Sequence, residues 1–163
     1  IGLIREPERF FYSAKASSEP GYRLAHEQAG LPVDESLILA GDYSIESGYQ
    51  TAKRLLTSKP AVDGVICMSD PMALGAWRAM REQGLIPGRD IDVIAGDDFP
   101  TTRAIWPGLT SIRTPLYEQG YQAGMMIVDY IQSGREMQGK LLRGELIVRE
   151  SVRSRNGTRE GLG

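Results

Sequence analysis

One stretch of the chain, residues 62–80, constrains the fold more than any other. Residues 64–68 form a continuous apolar run with β-branched side chains, which is typical of a strand buried on both faces of a parallel sheet. Ser69-Asp70-Pro71 then ends the run, and residues 72–80 continue with Ala, Leu, Met and Trp, as in a packed helix. In units of this kind, ligands bind outside the carboxyl ends of the strands. Ser69 and Asp70 therefore stand where a small molecule would be recognised, or they only cap the helix.

The same alternation of apolar runs and helical patterns extends along the chain. The predicted order is β, α, β, α, β, α, β, β, α, β, which indicates an α/β domain with a mostly parallel sheet. Strands are predicted at residues 1–4, 36–40, 64–68, 92–95, 109–113 and 141–148. Helices are predicted at residues 21–29, from 44 to the Lys59-Pro60 pair, at 72–80 and at 115–133. Residues 5–20 are predicted to be a loop, and residues 101–107 an irregular segment or a single turn.

The composition of the chain excludes several classes of protein and of metal site. The 163 residues carry a net charge of −2, so this chain shows no basic footprint for nucleic acid. The single cysteine, Cys67, excludes a disulfide framework or a cysteine-based zinc site, and its apolar surroundings predict a buried small hydrophobic residue. The single histidine, His26, excludes a metal site built from several histidines. No apolar run approaches the roughly 18 residues of a membrane span, and no signal peptide is visible.

Polar clusters follow three of the predicted strands. Asp42-Tyr43 follows the second strand, Ser69-Asp70 the third and Asp97-Asp98 the fourth. We expect the three ends to lie side by side at one edge of a parallel sheet. Carboxylates that accept from hydroxyls and an aromatic ring that stacks on an apolar face suit a polyhydroxylated small molecule. Turn formation or helix capping is the alternative role for each residue taken alone.

The sequence favours binding over catalysis. It contains no Gly-x-Ser-x-Gly elbow, no phosphate-binding loop and no nucleophile–base pair that we can recognise. His26 is predicted to lie in a helix at the surface or half-buried, away from the strand ends. Asp97-Asp98 could bind Mg²⁺ as paired carboxylates, but adjacent residues point in different directions, so a shared metal is the weaker interpretation. We expect neither a cofactor nor a metal.

Five sequence blocks carry a family resemblance, and they are Gly41–Tyr49, Ser69–Ala76, Asp90–Asp98, Pro107–Ile112 and Leu146–Ser151. Together they resemble the LacI/GalR family of bacterial transcriptional regulators, in the family's order and spacing from about Ile1 to Ser154. The resemblance implies a Rossmann-like lobe of a truncated, periplasmic-binding-protein-like (type I) fold, the kind that binds an effector between two lobes.

The resemblance also implies a division of the chain. Residues 1–111 would form most of the C-terminal lobe, and residues 112–140 a crossover and a helix of the N-terminal lobe. Residues 141–154 would return to the C-terminal lobe, and 155–163 would be a flexible tail. Because the chain starts within a strand at Ile1, we expect a longer protein, with a helix-turn-helix head and the first half of the sensor upstream. The helix from Pro115 to Gly134 would then lack its sheet, and would be displaced, pack on a symmetry mate or swap between chains.

Effector-binding residues follow from the same resemblance. Tyr43 falls where the family places an aromatic residue that stacks on the effector, and Asp97 where a carboxylate accepts from hydroxyls or ring nitrogens. Ser69 falls where many members carry Asn. Ser18 stands where the family usually has an Arg that anchors the effector, which is a departure from the pattern. Asp70 completes the predicted effector-binding set.

A dimer interface is implied around Ile105 and Trp106 and along the helix after Tyr43. An exposed Trp106 would fit that role, and a core position is the alternative.

These observations predict the ligand-sensing part of a LacI-type regulator. A small effector, a sugar or related metabolite, would favour one lobe arrangement in a cytoplasmic homodimer, and DNA would be bound only through an upstream domain absent from this chain. A periplasmic sugar-binding protein of an ABC transporter is the alternative. An enzyme that uses Asp97-Asp98 would instead show metal-dependent turnover.

Overall fold

A computed structural model describes residues 1–7, 17–58 and 62–153. Most of the predicted 5–20 loop, the Lys59-Pro60 helix end and the predicted tail lie outside these residues. The strands of the described part are β1 (Gly2–Arg5), β2 (Ile38–Ala40), β3 (Gly64–Cys67), β4 (Asp92–Asp97), β5 (Thr110–Arg113) and β6 (Glu145–Ile147). Its helices are α1 (Glu19–Gln28), α2 (Ile45–Ser58), α3 (Asp70–Glu82), α4 (Pro100–Ala104) and α5 (Leu116–Ser133).

The strands form one sheet in the order β2-β1-β3-β4-β5-β6. Neighbours from β2 to β5 are parallel, and β6 alone in this sheet runs antiparallel, against β5. The predicted α/β class with a mostly parallel sheet is therefore confirmed. One expectation is wrong, because β1 lies between β2 and β3. The ends of the second and third strands are thus not neighbours.

Strands β2 and β6 are shorter than predicted by two residues or more, and α1 begins earlier. Residues Glu35–Leu37 form a 3₁₀ turn because Asp34 accepts a hydrogen bond from the Ser36 N–H at 2.9 Å. Only Glu145–Ile147 of the predicted 141–148 strand pairs with β5. Helix α1 starts at Glu19, since a proline is tolerated in the first helical turn.

Helices α2 and α3 cover one face of the sheet. Their apolar side chains pack on alternate strand residues, and the cluster includes Leu55, Val65, Cys67, Met72, Ala76, Met80, Val93 and Ala95. Two glycines allow the helices to approach closely. A Cβ at Gly75 would lie 2.0 Å from the Ile45 carbonyl oxygen, and one at Gly48 would lie 2.2 Å from the Met72 carbonyl oxygen. The predicted burial of Cys67 is confirmed, and burial raises the pKa of its thiol to about 12.

His26 is buried, so its predicted surface or half-buried position is wrong. Its ring stacks on Tyr22 with a centroid separation of 4.1 Å, and Nδ1 lies 3.0 Å from the Tyr22 carbonyl oxygen. The Tyr22 hydroxyl in turn donates to the Ile1 carbonyl oxygen at 2.7 Å. The aromatic pair therefore attaches α1 to the start of β1, a tertiary contact that the helical pattern alone does not reveal.

The opposite face of the sheet is less fully covered. A cavity of about 570 Å³ lies there toward the amino ends of β3 and β4, with Ile66, Ile94, His26 and Val152 in its lining. Because this cavity is at the opposite strand ends from the predicted effector residues, it belongs to a different region.

Helix α5 packs little against the rest of the described structure. None of its residues is buried, although its exposed side chains include Leu116, Tyr117, Tyr121, Ile127, Val128, Tyr130 and Ile131. Gly134 in the left-handed conformation ends it, with its N–H donating to the Tyr130 carbonyl oxygen. No helix in the described ranges is long and apolar enough to span a membrane.

Candidate functional site

The carboxyl ends of β1 to β4 bring four groups of polar residues to one edge of the sheet. Tyr43 follows β2, Ser69-Asp70 follow β3, and Asp97 ends β4. Glu6 follows β1, between the ends of β2 and β3. The sequence interpretation missed Glu6 because it assigned this residue to the start of a loop. Its position directly after an apolar strand was the available signal.

Glu6 is a buried carboxylate held by Ser18. The backbone N–H and the hydroxyl of Ser18 donate to its two oxygens, each at 2.6 Å. Burial raises the pKa of Glu6, but hydrogen bonds from Ser18, from the Glu6 backbone and from the Ser17 side chain together outweigh that effect and hold the pKa below its ordinary value. Glu6 is therefore ionised at neutral pH, and Ser18 orients it.

Tyr43 lies at the same edge, and its side chain is 40% exposed. Burial raises the pKa of its phenol, and the negative charges of Glu6 and Asp97 raise it further. Tyr43 has a φ of 70°, which is uncommon for a residue with a large side chain. The raised pKa is consistent with the strand order, which places Tyr43, Glu6 and Asp97 at the same edge of the sheet.

Asp97 and Asp98 both have positive φ, at 96° and 59°, so the chain turns sharply where β4 ends. Asp97 is half-buried, and burial raises the pKa of its carboxyl, while a hydrogen bond from the Asp70 backbone acts in the opposite sense. Strained backbone of this kind is common at ligand sites.

Ser69 and Asp70 hold the next turn in place. The Ser69 hydroxyl accepts from the Met72 N–H at 3.3 Å and caps α3, so the capping interpretation is confirmed for Ser69. Asp70 is 0% exposed, and its carboxylate accepts from the Phe99 N–H at 2.6 Å and the Ser111 hydroxyl at 3.2 Å. Burial raises the pKa of Asp70 from 3.8 to about 6. Asp70 is therefore buried at the carboxyl end of β3, and it holds the segment after β4 through Phe99.

Asp42 also forms a local turn, since its carboxylate accepts from the Ser44 N–H at 2.8 Å. The Asp98 carboxylate is hydrogen-bonded by two arginines, with Arg113 Nε at 2.8 Å and Arg149 Nη2 at 2.5 Å, and Arg103 Nη2 lies 3.8 Å away. Burial raises the pKa of Asp98, but the arginines outweigh that effect and lower it. Because both oxygens of Asp98 are bound by guanidinium groups, the adjacent carboxylates do not present a common set of metal ligands.

Trp106 is 77% exposed, so the alternative that placed it in the core is wrong. Ile105, its neighbour, packs partly against the core cluster. Helix α2, which follows Tyr43, exposes Ile45.

The chain matches known proteins over most of its length. The sequence model of the periplasmic binding protein-like domain matches residues 1–152, and the chain belongs to this family. Within it, the chain is homologous to LacI-family regulators, which confirms the resemblance carried by the sequence blocks.

Two curated relatives are HTH-type transcriptional repressors. PurR of Yersinia pestis (strain Pestoides F) is 38% identical over 136 residues, which are 83% of this chain and 39% of that protein. CytR of Escherichia coli (strain K12) is 36% identical over 135 residues, which are 82% of this chain and 40% of that protein. The chain thus spans about 40% of the length of these relatives.

A solved structure of the transcriptional regulator CelR with cellobiose has the same fold. It superposes with a TM-score of 0.83 at 31% identity, over 92% of this chain and 46% of that chain.

Proposed function

We propose that this chain is the effector-sensing part of a LacI-type transcription regulator, with the effector bound at the edge formed by Glu6, Tyr43 and Asp97. The observation that carries the proposal is that Glu6, Tyr43 and Asp97 all lie at the carboxyl ends of parallel strands of one sheet. Ligands of parallel α/β sheets bind at this edge.

The chemistry of the site indicates the effector class. Glu6 and Asp97 supply acceptor oxygens, and Tyr43 supplies an aromatic face and a phenol. Such a site favours a molecule rich in hydroxyl donors, a sugar or a related metabolite, over a phosphorylated one, which would be repelled by the two carboxylates. Ser18 contributes by orienting the Glu6 carboxylate. Ser69 caps α3, and Asp70 holds the segment after Asp97 by binding the Phe99 N–H.

The division into lobes is part of the proposal. Residues 1–111 would form most of one lobe, 112–140 would lead to a second lobe, 141–154 would return, and 155–163 would be a tail. The exposed apolar surface of α5 supports this division, because a helix with such a surface is normally packed against a partner. Effector binding between the lobes would change DNA binding by an upstream head in a cytoplasmic homodimer.

The exposed Trp106 supports a dimer contact around Ile105 and Trp106. Trp106→Glu should shift sedimentation from dimer to monomer, and an unchanged sedimentation coefficient would remove this surface from the interface.

The regulator interpretation is favoured over a transporter's periplasmic sugar-binding protein because the curated relatives named above are repressors. Sequencing upstream of Ile1 separates the two, since a helix-turn-helix head is expected only in the regulator.

Asp97→Ala tests the site in the complete protein. A thermal-shift panel of neutral sugars, nucleosides and their phosphate esters, with cellobiose included, first identifies a compound that stabilises the wild type. We expect Asp97→Ala to abolish the shift and the effector response, and to leave operator binding intact. Asp90→Ala, an exposed carboxylate before β4, is the matched control and should keep the shift. An unchanged response in Asp97→Ala would contradict the proposal.

A further inference from the structure

We propose that Asp98 is a positioning residue that links the effector site to the two segments by which the chain leaves and re-enters this sheet. The inference rests on the function proposed above and assigns a regulatory role to groups that do not themselves face the effector. The inference depends on the Asp98 carboxylate, which binds arginines from two segments far apart in the chain. It also depends on the Ser111 hydroxyl, which accepts from the Asp98 N–H.

Asp98 fixes both segments at once. The chain leaves the sheet after Arg113, the last residue of β5, and returns through β6 to Arg149. Arg113 Nε binds Asp98 Oδ2 at 2.8 Å, and Arg149 Nη2 binds Asp98 Oδ1 at 2.5 Å. The Asp98 side chain has no exposed surface, and hydrogen bonds between ionised groups are stronger than those between neutral groups.

The two arginines are not held equally. Arg149 is also fixed to the sheet, because its Nη1 donates to the Leu109 carbonyl oxygen at 2.6 Å and its N–H donates to the Thr110 hydroxyl at 2.9 Å. Arg113 is half-buried, and its other contact is a 3.4 Å pair with Glu145 on β6. The outgoing segment at Arg113 is therefore the part that Asp98 controls.

A hydrogen-bonded relay connects Asp98 to the site. The Asp98 N–H donates to the Ser111 hydroxyl oxygen at 3.0 Å, and that hydroxyl donates to Asp70 Oδ1 at 3.2 Å. Asp98 follows Asp97 directly in the chain, and Asp70 Oδ2 accepts from the N–H of Phe99, the next residue, at 2.6 Å. The Ser111 hydroxyl on β5 therefore ties the Asp97–Asp98 turn to Asp70.

The backbone makes the relay stiff. Asp97 and Asp98 are consecutive residues at positive φ, and the Phe99 N–H that follows them is bound by Asp70. A ligand that shifts the backbone at Asp97 must therefore either break these bonds or rotate the turn that carries Asp98. Coupling between sites needs such a contiguous element with discrete arrangements.

Amide hydrogen exchange of the complete protein, without ligand, tests the relay. We expect Asp97→Asn to speed exchange of the amides of residues 112–114 by about 2- to 30-fold, the usual range for coupled sites. Ser111→Ala leaves both ion pairs in place, and in that background we expect Asp97→Asn to have a smaller effect on residues 112–114. Asp92→Asn is the matched control, because it breaks the Arg153 ion pair at the other end of β4 and should leave residues 112–114 unchanged.

Arg113→Gln supplies a second measurement, which starts from the arginine side of the Asp98 contact. Because Arg113 is only half-buried, we expect this variant to fold. It should speed exchange of the Asp70 and Phe99 amides while Ser111 is intact. The inference is overturned if Asp97→Asn affects only residues 97–99, if its effect is equally large in Ser111→Ala, or if Arg113→Gln leaves the Phe99 amide unchanged. Because no effector is used, these results are independent of whether the proposed function holds.

Discussion

The backbone N–H and the hydroxyl of Ser18 both donate to the carboxylate of Glu6, each at 2.6 Å. The family resemblance leads to the expectation of an arginine at this position, which would bring a positive charge to the site. Here the same position supplies two neutral donors, and a carboxylate with a lowered pKa is the charged group instead. The edge that also holds Asp97 is therefore rich in acceptors.

Glu6→Gln should lower the free energy of unfolding by about 1–2 kcal/mol, because hydrogen bonds to an ionised carboxylate are stronger than those to a neutral amide. Urea denaturation measures the change. Glu35→Gln is the matched control, since Glu35 is an exposed carboxylate bound to Arg23, and exposed pairs contribute little. Equal effects of the two substitutions would show that the Ser18 contacts are not specific to the buried carboxylate.

Asp70 should make the protein less stable as the pH rises from about 4 to about 6. Burial raises its pKa from 3.8 to about 6 in the folded state, so the folded protein binds the proton more tightly than the unfolded chain does. The contribution of Asp70 to stability is thus greatest at low pH and is lost as the pH passes through 6. The difference corresponds to about 3 kcal/mol.

Asp70→Asn should flatten this part of the pH profile, because the amide resembles the protonated acid and can still accept from the Phe99 N–H. Urea denaturation of both proteins at pH 4, 5, 6 and 7 gives the comparison. A profile with the same slope in the variant would show that another group causes the pH dependence.

Gly75→Ala should destabilise the protein by about 3 kcal/mol, because the added Cβ would lie 2.0 Å from the Ile45 carbonyl oxygen and force α2 and α3 apart. Gly21→Ala is the control within a helix, since a Cβ there meets nothing within 4 Å and should be neutral or stabilise by about 0.5–1 kcal/mol. Thermal unfolding of both variants checks the pair. Similar melting temperatures would mean that the close helix contact does not form.

Cys67 should react with a thiol reagent only when the protein unfolds. Its side chain is fully buried, and burial raises the pKa of the thiol to about 12, so almost no thiolate is present at neutral pH. Labelling with Ellman's reagent in increasing urea should follow the unfolding curve. Rapid labelling of the native protein would contradict the placement of β3 in the core.

The sequence predicts the parallel sheet well because local patterns determine it. The apolar run before Ser69 and the helix after it follow from residue periodicity, and the structure places β3 and α3 at those positions. The strand β6 is shorter than predicted because a strand at an edge is defined by its partner. Only residues 145–147 meet β5.

The candidate site is less completely predictable. Tyr43 and Asp97 stand out because each follows an apolar strand, but Glu6 is hidden because its partner Ser18 lies 12 residues away. His26 was expected at or near the surface, since nothing in the helical pattern reveals its contact with Tyr22. The strand order, which places β1 and therefore Glu6 between β2 and β3, also depends on pairing between residues far apart in the chain.

The most direct test of the central claim is amide chemical-shift mapping of the complete protein with the panel compound that gives the largest thermal shift. The account predicts that the largest changes occur at Glu6, Tyr43 and Asp97, at the carboxyl ends of the strands. Changes centred instead on Ile66 and Ile94, in the cavity at the opposite strand ends, would contradict it.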